Sequence, residues 1–157
     1  MQGARSDLEH IMNIRSLPPS ARLVGAFDAP MRIRAGALHD VVTEAGDFAA
    51  GLGFCLAKSA QLAGRRMTLW VYGEAGGAET GFPHGSGLVE YGLDPSAFLL
   101  ARVRSERQAL QAALEGARCA GLGAVLIELG GDARGFDLTA SRRLALGSES
   151  SGVSVLA

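Results

Sequence analysis

The sequence predicts a three-layer α/β domain built on a doubly wound, mainly parallel sheet. Three features carry that expectation. Two apolar runs, MTLWVY over 67–72 and AVLIEL over 124–129, have the length of strands and no polar alternation. Segments with helical periodicity alternate with them, and the chain holds 22 glycines in 157 residues, many where those segments end. Continuous apolar runs suit strands covered on both faces, and strands that alternate with helices pair in parallel through crossovers.

The elements divide the chain into an N-terminal helix and Pro-containing linker over 1–36 and a core over 37–157. Ser6 or Asp7 caps a short helix to Arg15, and Pro18-Pro19 ends it by removing backbone donors. A short strand over 22–27 and a turn at Gly36 complete the linker. Leu38 to Val42 reads as the first core strand. Leu52, Cys55, Leu56, Ser59 and Ala63 then share one helical face, with Lys58 and Gln61 off it and Gly64 as the C-cap. After MTLWVY comes a Gly-rich loop from Gly73 to Gly87 and a short helix from Leu88 to Tyr91. Phe98 to Val103 is the next strand. Ser105 and Gln108 form a capping box that opens a helix with Leu110, Ala113, Leu114 and Ala117 on one face. AVLIEL follows Gly121. Asp137 or Thr139 caps a last helix to about Ser150, and Val153 to Leu156 is a further strand.

Composition limits the function classes. Net charge is −1, so no global positive field draws the chain to nucleic acid, and DNA contact would need a local patch. Of 15 basic residues Lys58 is the sole lysine. Cys55 and Cys119 fall in apolar helical segments without metal-ligand spacing, which predicts buried reduced thiols and no metal site. No run is long and apolar enough to span a membrane, and 1–15 lacks the apolar centre of a signal peptide, so a cytoplasmic protein is expected. His10, His39 and His84 fall in separate parts of the layout and pair with no nucleophile.

In a doubly wound sheet, ligands bind beyond the carboxyl ends of the strands. The first strand–loop–helix unit there carries GDFAAGLG over Gly46–Gly53. A phosphate-binding loop reads GxxxxGK[ST]. Gly46 and Gly51 keep its glycine spacing, but Leu52 stands where the lysine belongs and Gly53 where the hydroxyl belongs. Lysine neutralises the β- and γ-phosphates and the hydroxyl ligates magnesium; leucine and glycine do neither. Asp47 adds a charge that repels polyphosphate, although backbone amides at the helix start suit a small anion. An ordinary βα turn fits the same glycines. Glu74 after MTLWVY and Glu128 within AVLIEL reach the carboxyl edge of the sheet. They are either vestigial catalytic and metal-holding carboxylates or solvated strand-end acids.

These segments together resemble a known pattern. VVTEAGDFAAGLGF, TLWVYGE, LVEYGLDPSAFLLARV and ERQALQAALEGARCAGLGAVLIEL, in that order, are similar to the RecA core, a P-loop NTPase-like fold. GLDP, ALEGARCAGLGAVLIEL and above all DLTASRRL resemble ImuA, the RecA-related inducible mutagenesis family, over about 36–157. The resemblance places Gly46 and Gly51 on the Walker A glycines, Glu74 on the catalytic glutamate and Glu128 on the Walker B aspartate. It implies an SOS-induced accessory role in translesion DNA synthesis. Its implied partners are a Y-family polymerase homologue (ImuB-like), an error-prone polymerase and RecA. It also implies that family members continue beyond Ala157.

The expectation is therefore a non-enzymatic RecA-like scaffold with no cofactor, acting through protein contacts and open to self-association. Two alternatives stand beside it. One is a divergent ATPase that uses Glu74, Glu128 and a substitute cation, Arg65 or Arg66. The other is a cell-division inhibitor related to SulA.

Overall fold

A computed structural model describes residues 33–44, 46–74, 81–130 and 133–157. The expected helix over 6–15, His10 and the strand over 22–27 lie outside the described residues. So do residues 75–80 of the Gly-rich loop.

Five strands form one sheet: β1 (Leu38–His39), β2 (Met67–Gly73), β3 (Phe98–Val103), β4 (Leu122–Ile127) and β5 (Ser154–Leu156). Their spatial order is β1-β5-β4-β2-β3, and every described pairing is parallel. Among the described residues four α-helices connect them: α1 (Phe48–Ala63), α2 (Gly85–Glu90), α3 (Glu106–Arg118) and α4 (Leu138–Ser151).

The order explains the layers. From β1 to β2 to β3 the chain steps toward one edge of the sheet; from β3 to β4 to β5 it steps back. Crossovers of one hand then put the outward helices on one face and the returning helices on the other. Side-chain packing follows that division. Cys55 and Leu56 of α1 and Leu88 of α2 meet Trp70, Phe98, Leu126 and Leu156. Ala109, Ala113 and Ala117 of α3 and Leu144 of α4 meet Val71, Val125, Ile127 and Val155. Alternate residues of one strand serve opposite cores, as the pleat requires.

Every residue of β4 is buried, which accounts for the unbroken apolar run. Burying each of its large side chains contributes about 1.5–3 kcal/mol. Strand β3 is an edge strand, with Leu99 and Leu100 about half exposed.

Local signals set the boundaries. The Ser105 hydroxyl accepts from the Gln108 amide, and the Gln108 side chain accepts from the Arg104 amide, one residue before the cap. Asp137 rather than Thr139 caps α4, accepting from the Ala140 amide at 2.8 Å. Gly152 ends α4 with φ +75°, a left-handed conformation that a side chain would strain.

Some expectations need correction. Strand β1 stops at His39 rather than Val42, which is exposed. Helix α1 begins at Phe48, ahead of Gly51 and Gly53, the glycines expected in the loop. Lys58 is buried, because α1 lies across β2, β4 and β5; its ammonium donates to the Gln61 side-chain oxygen at 3.2 Å, so the charge keeps a partner. Cys119 is exposed, because α3 ends at Arg118 and leaves the thiol on the turn.

No helix among the described residues is long and apolar enough to cross a membrane.

Gly123 shows how closely β4 is pressed. A Cβ there would stand 2.6 Å from the Ala63 carbonyl oxygen and 2.9 Å from its carbon, at the end of α1. Backbone cannot swing aside as a flexible side chain can. Gly123→Ala should therefore destabilise the domain by about 1–3 kcal/mol. Urea unfolding checks this, and an unchanged midpoint would contradict the close approach.

Candidate functional site

The connection leaving β2 turns to the α1/α2 face, while the one leaving β4 turns to the α3/α4 face. A crevice opens where two adjacent strands part in this way, beyond their carboxyl ends. Glu128 stands there, the first residue past β4. Its amide still donates to the Val71 carbonyl at 2.9 Å, so its backbone is held in register with β2. Its carboxylate accepts from the Trp70 indole N–H at 2.5 Å.

Glu128 is thus no solvated strand-end acid. Burial pushes its carboxyl above the ordinary range, and the Trp70 bond opposes part of that push. Beneath it, Cys55 has its thiol pushed up to about 11, first by burial and then by the Glu128 charge. Trp70, read from the sequence as core, is buried as expected and also supplies this bond.

Glu74 lies at the end of the same strand but turns the other way. It pairs with Arg102 at 3.3 Å and Arg104 at 3.7 Å on the β3 side. Arg102 also lies over the Phe82 ring, 5.0 Å from its centroid. Both expected carboxylates thus occupy the carboxyl edge of neighbouring strands, one desolvated against an indole and the other tied into a surface ion pair. Such exposed pairs contribute about 0–1 kcal/mol.

The glycine segment is built for packing. Gly46 has φ +101°, a turn conformation, and Asp47 caps α1 without a side-chain bond. Gly51 and Gly53 are inside the helix, and the Gly51 amide donates to the Asp47 carbonyl. In a phosphate loop these amides point at the ligand; here helix α1 takes them. A Cβ on Gly51 would run into the Thr43 methyl, and one on Gly53 would meet the Tyr91 hydroxyl at 3.2 Å and its ring at 3.3 Å. Leu52 packs against the Trp70 core.

Two cavities meet at Phe48, Leu52 and Glu128. One, about 200 Å³, reaches Trp70, Phe82 and Tyr91; the other, about 240 Å³, reaches Asp40, Cys55 and Phe136. Among the described residues no Lys or Arg lines either cavity. Arg65 and Arg66 precede β2, at the opposite edge of the sheet. Arg66 is occupied there, donating to the carbonyls of Ala120 and Gly152. Neither arginine can stand in for the missing lysine. Arg142 and Arg143 are exposed on α4. His39 bonds the Arg34 carbonyl oxygen and His84 the Ser86 hydroxyl, away from one another. No three His, Cys, Asp or Glu residues among the described residues cluster to hold a metal ion.

Sequence reasoning missed the aromatic half of this site. Trp70, Tyr72, Phe82 and Phe98 form a run of edge-to-face contacts with centroids 6.2–6.4 Å apart. Its only trace in the sequence is the Trp70/Tyr72 alternation within β2.

No protein-family model matches the chain, and no curated protein matches it. A likeness to a solved structure is found instead. The fold resembles that of SulA from Pseudomonas aeruginosa. The likeness has a TM-score of 0.51 at 17% identity and covers 77% of this chain and 97% of that one. At that identity it speaks for the fold.

Two outcomes test the site. A carboxyl that holds its proton more tightly folded than unfolded makes the folded state lose stability as pH rises from about 4 through the raised value. Glu128→Gln keeps an acceptor for Trp70 and removes that loss, so the variant should gain on the parent as pH rises; a constant gap in urea midpoints would contradict the burial. Separately, iodoacetamide at pH 8 should modify Cys119 and spare Cys55, whose pKa near 11 leaves roughly a thousand thiols per thiolate. Mass mapping that finds equal labelling would overturn this.

Proposed function

We propose that the chain is a non-catalytic RecA-like protein of the DNA-damage response. In this reading it works through protein contacts as an accessory of an error-prone translesion synthesis complex. One observation carries the non-catalytic part. Leu52, at the position of the phosphate-gripping lysine, packs against the apolar core within a helix whose Gly51 amide already donates to the Asp47 carbonyl. A triphosphate brought there would meet Asp40, Glu128 and mostly apolar side chains, with no Lys or Arg among the described residues that line the crevice.

The RecA-like assignment is supported by the parallel sheet with β4 between β2 and β5, and by carboxylates at the ends of β2 and β4. The ImuA assignment rests on the DLTASRRL stretch, which forms the capped start of α4. The partners follow from that resemblance: an ImuB-like polymerase homologue, the error-prone polymerase and RecA.

A second reading is a SulA-like division inhibitor that binds the tubulin-like division protein. The likeness of fold to SulA favours it. Both readings share a damage-response setting and a core without turnover chemistry.

Two measurements separate the possibilities. Calorimetric titration with MgATP should give no saturable heat, and phosphate release should stay at the buffer rate; saturable binding with turnover would sink the non-catalytic reading. The purified chain, offered the ImuB-like polymerase homologue and the division protein in parallel, should retain the first. Retention of the division protein alone would transfer the chain to the second reading.

A further inference from the structure

The paired cavities at the carboxyl edge have a chemistry that scaffolding alone leaves unexplained. Glu128 lines both and Asp40 lines the second; among the described residues no Lys or Arg lines either, and the imidazole of His84, which lines the first, is bonded to the Ser86 hydroxyl. The Glu128 carboxylate is partly desolvated and accepts one described side-chain bond, from Trp70. A carboxylate among apolar groups is costly unless a charge partner with its own donors reaches it. The group that fits such a site is a cation.

Size narrows the choice. The first cavity, the aromatic one, is about 200 Å³, below the roughly 300–1,000 Å³ of small-molecule sites. A single long side chain fits where a nucleotide does not. The walls narrow it again. Phe48, Trp70, Phe82 and Tyr91 surround the first cavity. A guanidinium stacks on aromatic rings and presents two parallel donors to a carboxylate, whereas an ammonium is a compact, strongly hydrated charge. Phe82 and Tyr91 are about half exposed, so they also offer an apolar rim to the residues flanking an anchor.

We propose that this crevice is an anchor pocket for an arginine side chain of a partner protein, its guanidinium set among Phe48, Phe82 and Tyr91 and donating to Glu128. The assignment rests on the reading of the chain as an interaction module, and it names the chemistry that module recognises.

Trp70 is the chain's one tryptophan. It bonds Glu128 and lines the pocket, so its fluorescence reports occupancy. The whole chain is titrated with acetyl-Leu-Arg-Leu-amide and with its citrulline counterpart, which keeps the shape and loses the charge. A saturable change is expected with the arginine peptide. Binding should weaken at least tenfold for the citrulline peptide, and at least tenfold for the arginine peptide on Glu128→Gln. The exposed control Glu115→Gln should leave both peptides unaffected. Equal response to the two peptides, undiminished binding by Glu128→Gln, an equal loss in Glu115→Gln, or no saturable response would each overturn the assignment. Its failure is distinct from that of the parent reading. A chain that retains the polymerase homologue but ignores the arginine peptide loses the pocket and keeps the scaffold role. MgATP turnover removes the scaffold role whatever the peptide does.

Discussion

Strand β4 must be covered on both faces, and the rest of the domain is arranged around that need. Val125 and Ile127 point to the α3/α4 core and Leu126 to the α1/α2 core. A strand this apolar with either face open would present a patch that water penalises at about 25 cal/mol per Å². Covering both faces requires helices on both sides, and helices on both sides require the chain to reverse its direction across the sheet. That reversal opens the crevice between the ends of β2 and β4. The site is thus a consequence of how the core is closed, which is why Glu128 is held so firmly at its edge.

The crevice has the position of a nucleotide site and the opposite electrostatics. Nucleotide binding at such an edge depends on free backbone amides and a lysine that together cancel phosphate charge. Here α1 starts four residues before Leu52, so the Gly51 amide is bonded within the helix, to the Asp47 carbonyl. Gly51 and Gly53 survive as contact points for Thr43 and Tyr91, where a side chain would push those neighbours away. What remains is an apolar cleft with carboxylates in its walls, suited to a cationic side chain and hostile to a polyphosphate.

Particular residues show how far the sequence was legible. The run AVLIEL announced a strand buried on both faces, and Ser105, Gln108 and Asp137 announced their helices through capping chemistry that acts within a single turn. Phe98 to Val103 was bounded to the residue, because Pro95 and Ser105 flank it. Lys58 and Cys119 were misplaced for one reason: their burial depends on which sheet surface lies across the helix and on where that helix stops. Periodicity within one segment encodes neither.

The sequence by itself determined the alternation of strands and helices, the covering of the sheet on both faces and the absence of a phosphate-gripping lysine. Each follows from local hydropathy, capping or side-chain identity. Only the tertiary structure decided that Glu128 is partly desolvated against Trp70 while Glu74 is drawn off to Arg102 and Arg104. The two acids look alike along the chain, since both stand near the end of an apolar strand. Their environments come from residues 58 and 28 positions away, Trp70 for one and Arg102 for the other, brought together by strand order.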